Sequence, residues 1–228
     1  MLIDAAHGGN NYGSGSNNLW LEKDIVLKIS LYQYKRFKEL GLNCILTRKD
    51  DSEIDGKKRI ELIKSYAVGC NCCLISNHIG TLNSGFEIFH SINQPSYKAD
   101  EIRYHLSSKY RVNFCGYNID YQGNDMFYML RMNNWCDSYI INYGNAFDEI
   151  DKNLIFYHWP CLSEAVVYSI CSSYNIPYLE PNYFYHIVRD NETIDDICKY
   201  YHKSLSKICH SSNHISKLLT GDYIVFKK

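Results

Sequence analysis

The chain has 228 residues, 46% of them hydrophobic, which is enough apolar content for one ordinary packed domain and a small module. Its 24 Lys and Arg against 25 Asp and Glu leave a net charge of −1 with the signs interspersed, so no basic field recruits nucleic acid. No apolar run approaches the roughly 18 residues of a membrane span, and no charged-then-apolar leader precedes the first strand, so synthesis in the cytoplasm without a signal peptide is expected.

The first stretch, Leu2-Ile3-Asp4-Ala5-Ala6-His7-Gly8-Gly9, predicts a short apolar strand that delivers His7 to its C-terminal end, with glycines behind it to let the backbone turn. Glu22 opens a segment in which Ile25, Val26, Ile29, Leu31 and Phe37 recur at roughly helical spacing, so a helix is expected from about Glu22 to Leu40. A strand over Asn43–Leu46, a helix over about Lys57–Tyr66 and a strand over Cys72–Asn77 follow, the last delivering His78. Gly85–His90 predicts another strand and Ser96–Tyr110 another helix. Cys115–Asn134, rich in Tyr, Asn, Gly and Met, suits a loop that shapes a substrate groove. Leu154–Tyr174 predicts the last helix of this unit, closed off by Pro177 and Pro181.

Strands alternating with helices argue for an α/β fold, a mostly parallel sheet flanked by helices with ligands held on loops at the strand ends. His7, Glu22 and His78 all fall at such positions, and two histidines with one carboxylate form a known catalytic zinc set that leaves a fourth position for water. The ten cysteines are scattered, with Cys70, Cys72 and Cys73 crowded before a buried strand. They are expected to be reduced and mostly buried, since the C-x-C-C cluster has no partner cluster with metal-site spacing.

The ordered set I-D-A-A-H-G-G, L-E-K-D, C-I-L-T-R, Arg59, I-S-N-H-I, G-F-E-I-F, M-L-R and S-Y-I-I resembles the zinc-dependent N-acetylmuramoyl-L-alanine amidases of bacterial cell-wall hydrolases and phage endolysins. The resemblance covers residues 1–176. It implies Zn2+ held by His7, Glu22 and His78, peptidoglycan as substrate and partner, and cleavage of the amide between N-acetylmuramic acid and L-alanine. The family's general base is a glutamate ending the strand after the L-R motif, and Asn142 stands at that position here. A neutral amide takes no proton from water. An active enzyme then needs a replacement carboxylate, such as Glu87 or Asp148, or works through the zinc-bound hydroxide alone.

Beyond a linker at residues 177–183, the stretch 184–228 predicts a strand, a helix capped by Thr193, a second short helix at Leu205–Cys209 and a closing strand at Tyr223–Phe226. This βααβ pattern resembles a LysM domain, which implies binding to the N-acetylglucosamine-containing backbone of peptidoglycan. Together the two resemblances imply a peptidoglycan hydrolase that reaches the wall after release or as part of a phage particle. The alternative that Asn142 raises is a degenerate amidase, serving as a wall-binding protein or as a virion or tail component among other phage proteins.

Overall fold

The computed structural model describes residues 1–228. In chain order its first unit contains β1 (Leu2–Ala5), α1 (Glu22–Glu39), β2 (Ile45–Leu46), α2 (Gly56–Ala67), β3 (Cys73–Gly80), β4 (Phe86–His90), α3 (Tyr97–Ser107), β5 (Val112–Gly116), α4 (Tyr128–Arg131), β6 (Asp137–Asn145) and α5 (Glu149–Ser173). The strands make one sheet in the order β2-β1-β3-β6-β4-β5. β2, β1, β3 and β6 are mutually parallel, β4 lies antiparallel to β6, and β5 is parallel to β4. The expected α/β fold with a mostly parallel sheet is what forms.

Alternate residues of each strand supply the two faces. Ile3, Ile75, Ile88, Tyr139 and Ile141 enter the larger core under α1, α3 and α5, whereas Leu2, Leu74, Phe89 and Ile140 enter a smaller core under α2 and α4. No helix is long and apolar enough to cross a membrane.

Three boundaries depart from expectation for identifiable reasons. α5 starts at Glu149, before Leu154, because the Asp148 carboxylate accepts from the backbone N–H groups of Ile150 and Asp151 and so caps an earlier turn. Inside α5 the backbone leaves helical geometry at His158 (φ −128°), two residues before Pro160, whose ring crowds the preceding turn and removes a donor. The expected loop at Cys115–Asn134 overlaps the end of β5 and contains α4. β5 is an edge strand with no fully buried residue, and so lacks the apolar run that marks a buried one.

The C-terminal unit comprises β7 (Tyr183–Ile187), α6 (Ile194–Tyr200), β8 (Ile208–Ser211) and β9 (Tyr223–Lys227), the strands forming an antiparallel sheet in the order β7-β9-β8. Thr193 caps α6 as expected, in a reciprocal capping box with Asp196. The second helix expected at Leu205–Cys209 is instead a single 3-10 turn at Leu205–Lys207 that runs into β8. Ile208 and Ser211 pair with Phe226 and Ile224 of β9, and a lone turn with no helix to extend yields to the sheet. The unit therefore has three strands rather than a βααβ pattern. One face carries its own core of Val188, Ile197, Cys198, Ile224 and Phe226. Tyr183, Ile187 and Val225 join the larger core of the first unit, where Tyr185 and Tyr223 both pack edge-on against Trp159 at 5.6 and 5.9 Å.

Candidate metal centre

β1 ends two residues before His7, and the chain then passes through three left-handed residues, His7 (φ 61°), Gly8 (φ 127°) and Gly9 (φ 57°). Left-handed backbone is natural for glycine and unfavourable for histidine. The conformation persists because two buried arginines grip the carbonyls around it. Arg59 donates to the carbonyls of Ala5 (2.7 Å) and His7, and Arg48 to those of Ala5 (2.9 Å) and Ala6 (2.9 Å). Arg59 also pairs with buried Asp4 (2.5 Å), which takes the Ser76 and Thr47 hydroxyls at 2.6 Å each. Burial alone would raise the Asp4 pKa, but the guanidinium and the two hydroxyls outweigh it and hold the carboxyl below its ordinary range.

This pair sets a stability prediction. Arg59→Met strands a buried carboxylate, and the expected loss at pH 7 is about 3–5 kcal/mol in urea unfolding. A carboxyl with a depressed folded-state pKa contributes stability that is present above its unfolded value and lost as pH falls through the folded one. The gap between wild type and variant should therefore narrow below about pH 4. A gap of the same size at both pH values would remove the ion pair as its cause.

Glu22 is the first residue of α1 and is 1% exposed. Its Oε2 accepts from the Gly15 N–H (2.9 Å) and its Oε1 from the Ile79 N–H (2.9 Å). Gly13 (φ +89°) lies so close that a Cβ there would stand 2.3 Å from Glu22 Oε2. α1 is keyed to the sheet by a buried polar chain. Asn77 donates to Ser30 (2.8 Å) and Gln33 (2.8 Å), Gln33 donates to the Tyr143 hydroxyl (2.7 Å), and that hydroxyl donates back to Asn77 (2.9 Å). Every member is satisfied, which fixes the helix against the strand that carries His78.

The structure brings His7, Glu22 and His78 together. Glu22 Oε1 lies 3.1 Å from His7 Nε2 and 3.6 Å from His78 Nδ1, and the ligand atoms of all three lie within 4.8 Å of one another. Tetrahedral zinc with bonds of about 2.0–2.2 Å separates its ligands by roughly 3.3 Å, so the three residues fit the ion without moving any element. The Asn11 side-chain oxygen, Oδ1, sits 2.9 Å from His7 Nδ1. An amide oxygen only accepts, so the ring proton belongs on Nδ1 and Nε2 faces the centre with its lone pair. The charge balance favours a cation. Burial opposes ionisation of both His7 and Glu22, yet their mutual contact raises the His7 pKa and, with His78, drives Glu22 far below the carboxylate range.

His78 lines two cavities that meet at the centre. One, of about 480 Å³, is walled by Phe89, Phe114, Tyr117, Met126 and Phe127 and has Glu87 and Asn142 among its polar lining. The other, of about 400 Å³, is lined by His7, Asn11 and Arg59 among others. The loop expected to shape a groove supplies Tyr117, Met126 and Phe127 to the first.

Asn142 stands on β6 in register with His78 on one side and Glu87 on the other. Its Nδ2 donates to Glu87 Oε2 (2.9 Å), and Asn83 Nδ2 donates to Glu87 Oε1 (2.8 Å). Glu87 is thus a buried carboxylate lining the groove with both oxygens held. Asp148 is not part of the groove lining; besides capping α5 it accepts from the Ser84 hydroxyl (3.0 Å). The clamping role of Arg48 and Arg59 has no spacing signature, and neither does the approach of Gly13 and Gly15 to Glu22.

The family model described as N-acetylmuramoyl-L-alanine amidase matches residues 1–146. The chain belongs to the N-acetylmuramoyl-L-alanine amidase family. The amidase fold is shared with the catalytic domain of CwlV from Bacillus (Paenibacillus) polymyxa (TM-score 0.65, 16% identity), covering 77% of this chain and 98% of that one. It is shared too with the N-acetylmuramoyl-L-alanine amidase AmiC2 of Nostoc punctiforme (TM-score 0.64, 19% identity, 76% and 96% covered). Cwp6 from Clostridium difficile aligns with TM-score 0.67 at 20% identity over 75% of this chain but only 28% of its own. A curated relative, the uncharacterized protein YqiI of Bacillus subtilis (strain 168), is 38% identical over 60 residues, which span 26% of this amidase-family chain and 29% of YqiI.

Proposed function

We propose that this amidase-family protein hydrolyses the amide between N-acetylmuramic acid and L-alanine in bacterial peptidoglycan, with Zn2+ held by His7, Glu22 and His78. The observation that carries the reading is the gathering of these three ligand atoms within 4.8 Å where two cavities meet. Zinc bound there supplies a Lewis acid for the scissile carbonyl and an acidified water. The chain does the rest. Asn11 fixes the His7 tautomer, Gly15 and Ile79 orient the Glu22 carboxylate, and the aromatic wall from Phe114 to Phe127 receives the substrate.

Proton transfer falls to Glu87. Asn142 at the family's glutamate position accepts no proton, but it aims a carboxylate from the neighbouring strand into the same groove. In this reading Glu87 accepts the proton of the attacking water and returns it to the leaving amine. Released stem peptides from purified peptidoglycan are the expected product. Absence of turnover with metal bound would favour the second reading, which Asn142 motivates: a degenerate amidase acting as a wall-binding or phage virion component.

The support around Glu22 gives a further expected result. Gly13→Ala should weaken metal binding by roughly 10–100-fold, because it displaces the carboxylate without removing a ligand. Competition with a chelator measures this, and unchanged affinity would show that the Gly13 contact is incidental.

Residues 184–228 remain a LysM-like candidate for the glycan backbone, joined to the amidase unit so that one chain raises its own residence on the wall. Soluble N-acetylglucosamine oligomers should then compete with co-sedimentation of the full chain on cell walls. Access to the wall, by release or within a phage particle, belongs to this proposal as well.

A further inference from the structure

The parallel register that pairs Cys73 with Asp137 sets Cys72 and Cys136, each one position earlier, side by side at the entry to β3 and β6. Adjacent strands run about 4.8 Å apart, inside the roughly 4.4–6.8 Å Cα window that a disulfide spans. Strand alternation settles the faces. Cys73 belongs to the larger core, whereas Cys72 and Cys136 both pack on the smaller one, so these two sulfurs share one side of the sheet. Both are half-buried and, with exposed Cys70, line a cavity of about 350 Å³. Within it Asn133 Nδ2 donates to Cys136 Sγ (3.3 Å). Burial, followed by the adjoining Cys136 thiol, pushes the Cys72 thiol up to about 12.

We propose that Cys72 and Cys136 are a redox-active pair that joins by exchange with a low-molecular-weight disulfide, clasping the two parallel strands that carry His78 and Asn142. Cys136 starts the exchange, because its sulfur is oriented by the Asn133 amide while burial keeps the proton on the Cys72 thiol. The Cys136 thiolate attacks one sulfur of the small disulfide, whose S–S bond breaks and releases the first thiol. Cys72 then attacks the Cys136 sulfur of the mixed disulfide and expels the second. Two protein thiols are oxidised, the small disulfide is reduced to two thiols, and the protons lost by Cys136 and Cys72 end on those thiols. The clasp closes a loop of about 64 residues. It lies about 20 Å from His78, six strand residues away, so it leaves the metal ligands in place. The pair stays open in a reducing milieu and closes in an oxidising one.

The test uses the full chain, equilibrated with oxidised glutathione or with dithiothreitol and peptide-mapped without reduction. The expected map joins Cys72 to Cys136 in the oxidised sample alone, with fragmentation separating Cys72 from Cys70 and Cys73. Oxidation should raise the thermal midpoint by roughly 10 °C. Cys136→Ala should abolish that rise, and Cys70→Ala should preserve it. A link from Cys72 to Cys70, persistence of Cys72 as a thiol or mixed disulfide, or a rise that survives Cys136→Ala overturns the proposal. The wild-type map decides the matter even if a variant folds poorly.

Discussion

Glu87→Gln should lower stem-peptide release from purified peptidoglycan by a factor of about 10² to 10⁴, the usual cost of losing a positioned proton acceptor. Glutamine keeps the volume of Glu87 and can still pair with Asn83 and Asn142, so metal content and thermal midpoint should stay near wild type. The double variant Glu87→Gln/Asn142→Glu moves the carboxylate one strand over, to the family's position, and should recover most of the lost rate. Asn142→Glu alone places two carboxylates where the structure has a 2.9 Å amide–carboxylate contact. Like charges so close push one pKa up, so the pH profile of this variant should shift toward the alkaline side. An unchanged rate in Glu87→Gln would end the case for Glu87. If wild type and Glu87→Gln are both inert while Asn142→Glu gains activity, the degenerate-amidase reading is the right one.

The second large effect concerns the centre itself. His7→Ala and His78→Ala each remove one of the three proposed ligands, and both should lose stoichiometric zinc by elemental analysis and fall to background turnover. Removing zinc from the wild type with a chelator should have the same effect on rate and should lower the thermal midpoint, because a metal that binds only the folded state stabilises it by mass action. The change is expected to be a shift and not a collapse, since the arginine clamp and the Asn77–Gln33–Tyr143 chain hold the ligands without an ion. Full retention of zinc in either variant would place the ion elsewhere.

Much of this site was legible in the sequence because its candidate ligands sit where pattern is strongest. His7 and His78 end apolar runs and Glu22 opens a helix, so periodicity marked the positions, while the ordered motifs that resemble the amidase family singled out these three as ligands. The Glu87–Asn142 contact was less accessible, because it depends on β4 entering antiparallel to β6, and a five-residue run does not announce its direction. Asp148 shows the reverse error. As an acid near the end of β6 it resembled a spare base, but the helix that follows needed a cap and took one oxygen, and the Ser84 hydroxyl took the other. Arg48 and Arg59 were visible only as members of a motif, since carbonyls gripped across the fold leave no trace in local spacing. β5 and β8 escaped notice for a related reason: edge strands bury too little to show alternation.

Trp159 and its ring of tyrosines make the C-terminal unit a poor candidate for free exchange between proteins. A module whose whole core is private can be moved by recombination as an interchangeable part, but this one, beside its own small core, lends Tyr183, Ile187 and Val225 to its host. Cutting the chain before β7 would bare the indole and the flank of α1 to water, leaving a wide apolar scar that invites aggregation. The two units are therefore tied at this seam, each free to change there only as far as the other compensates.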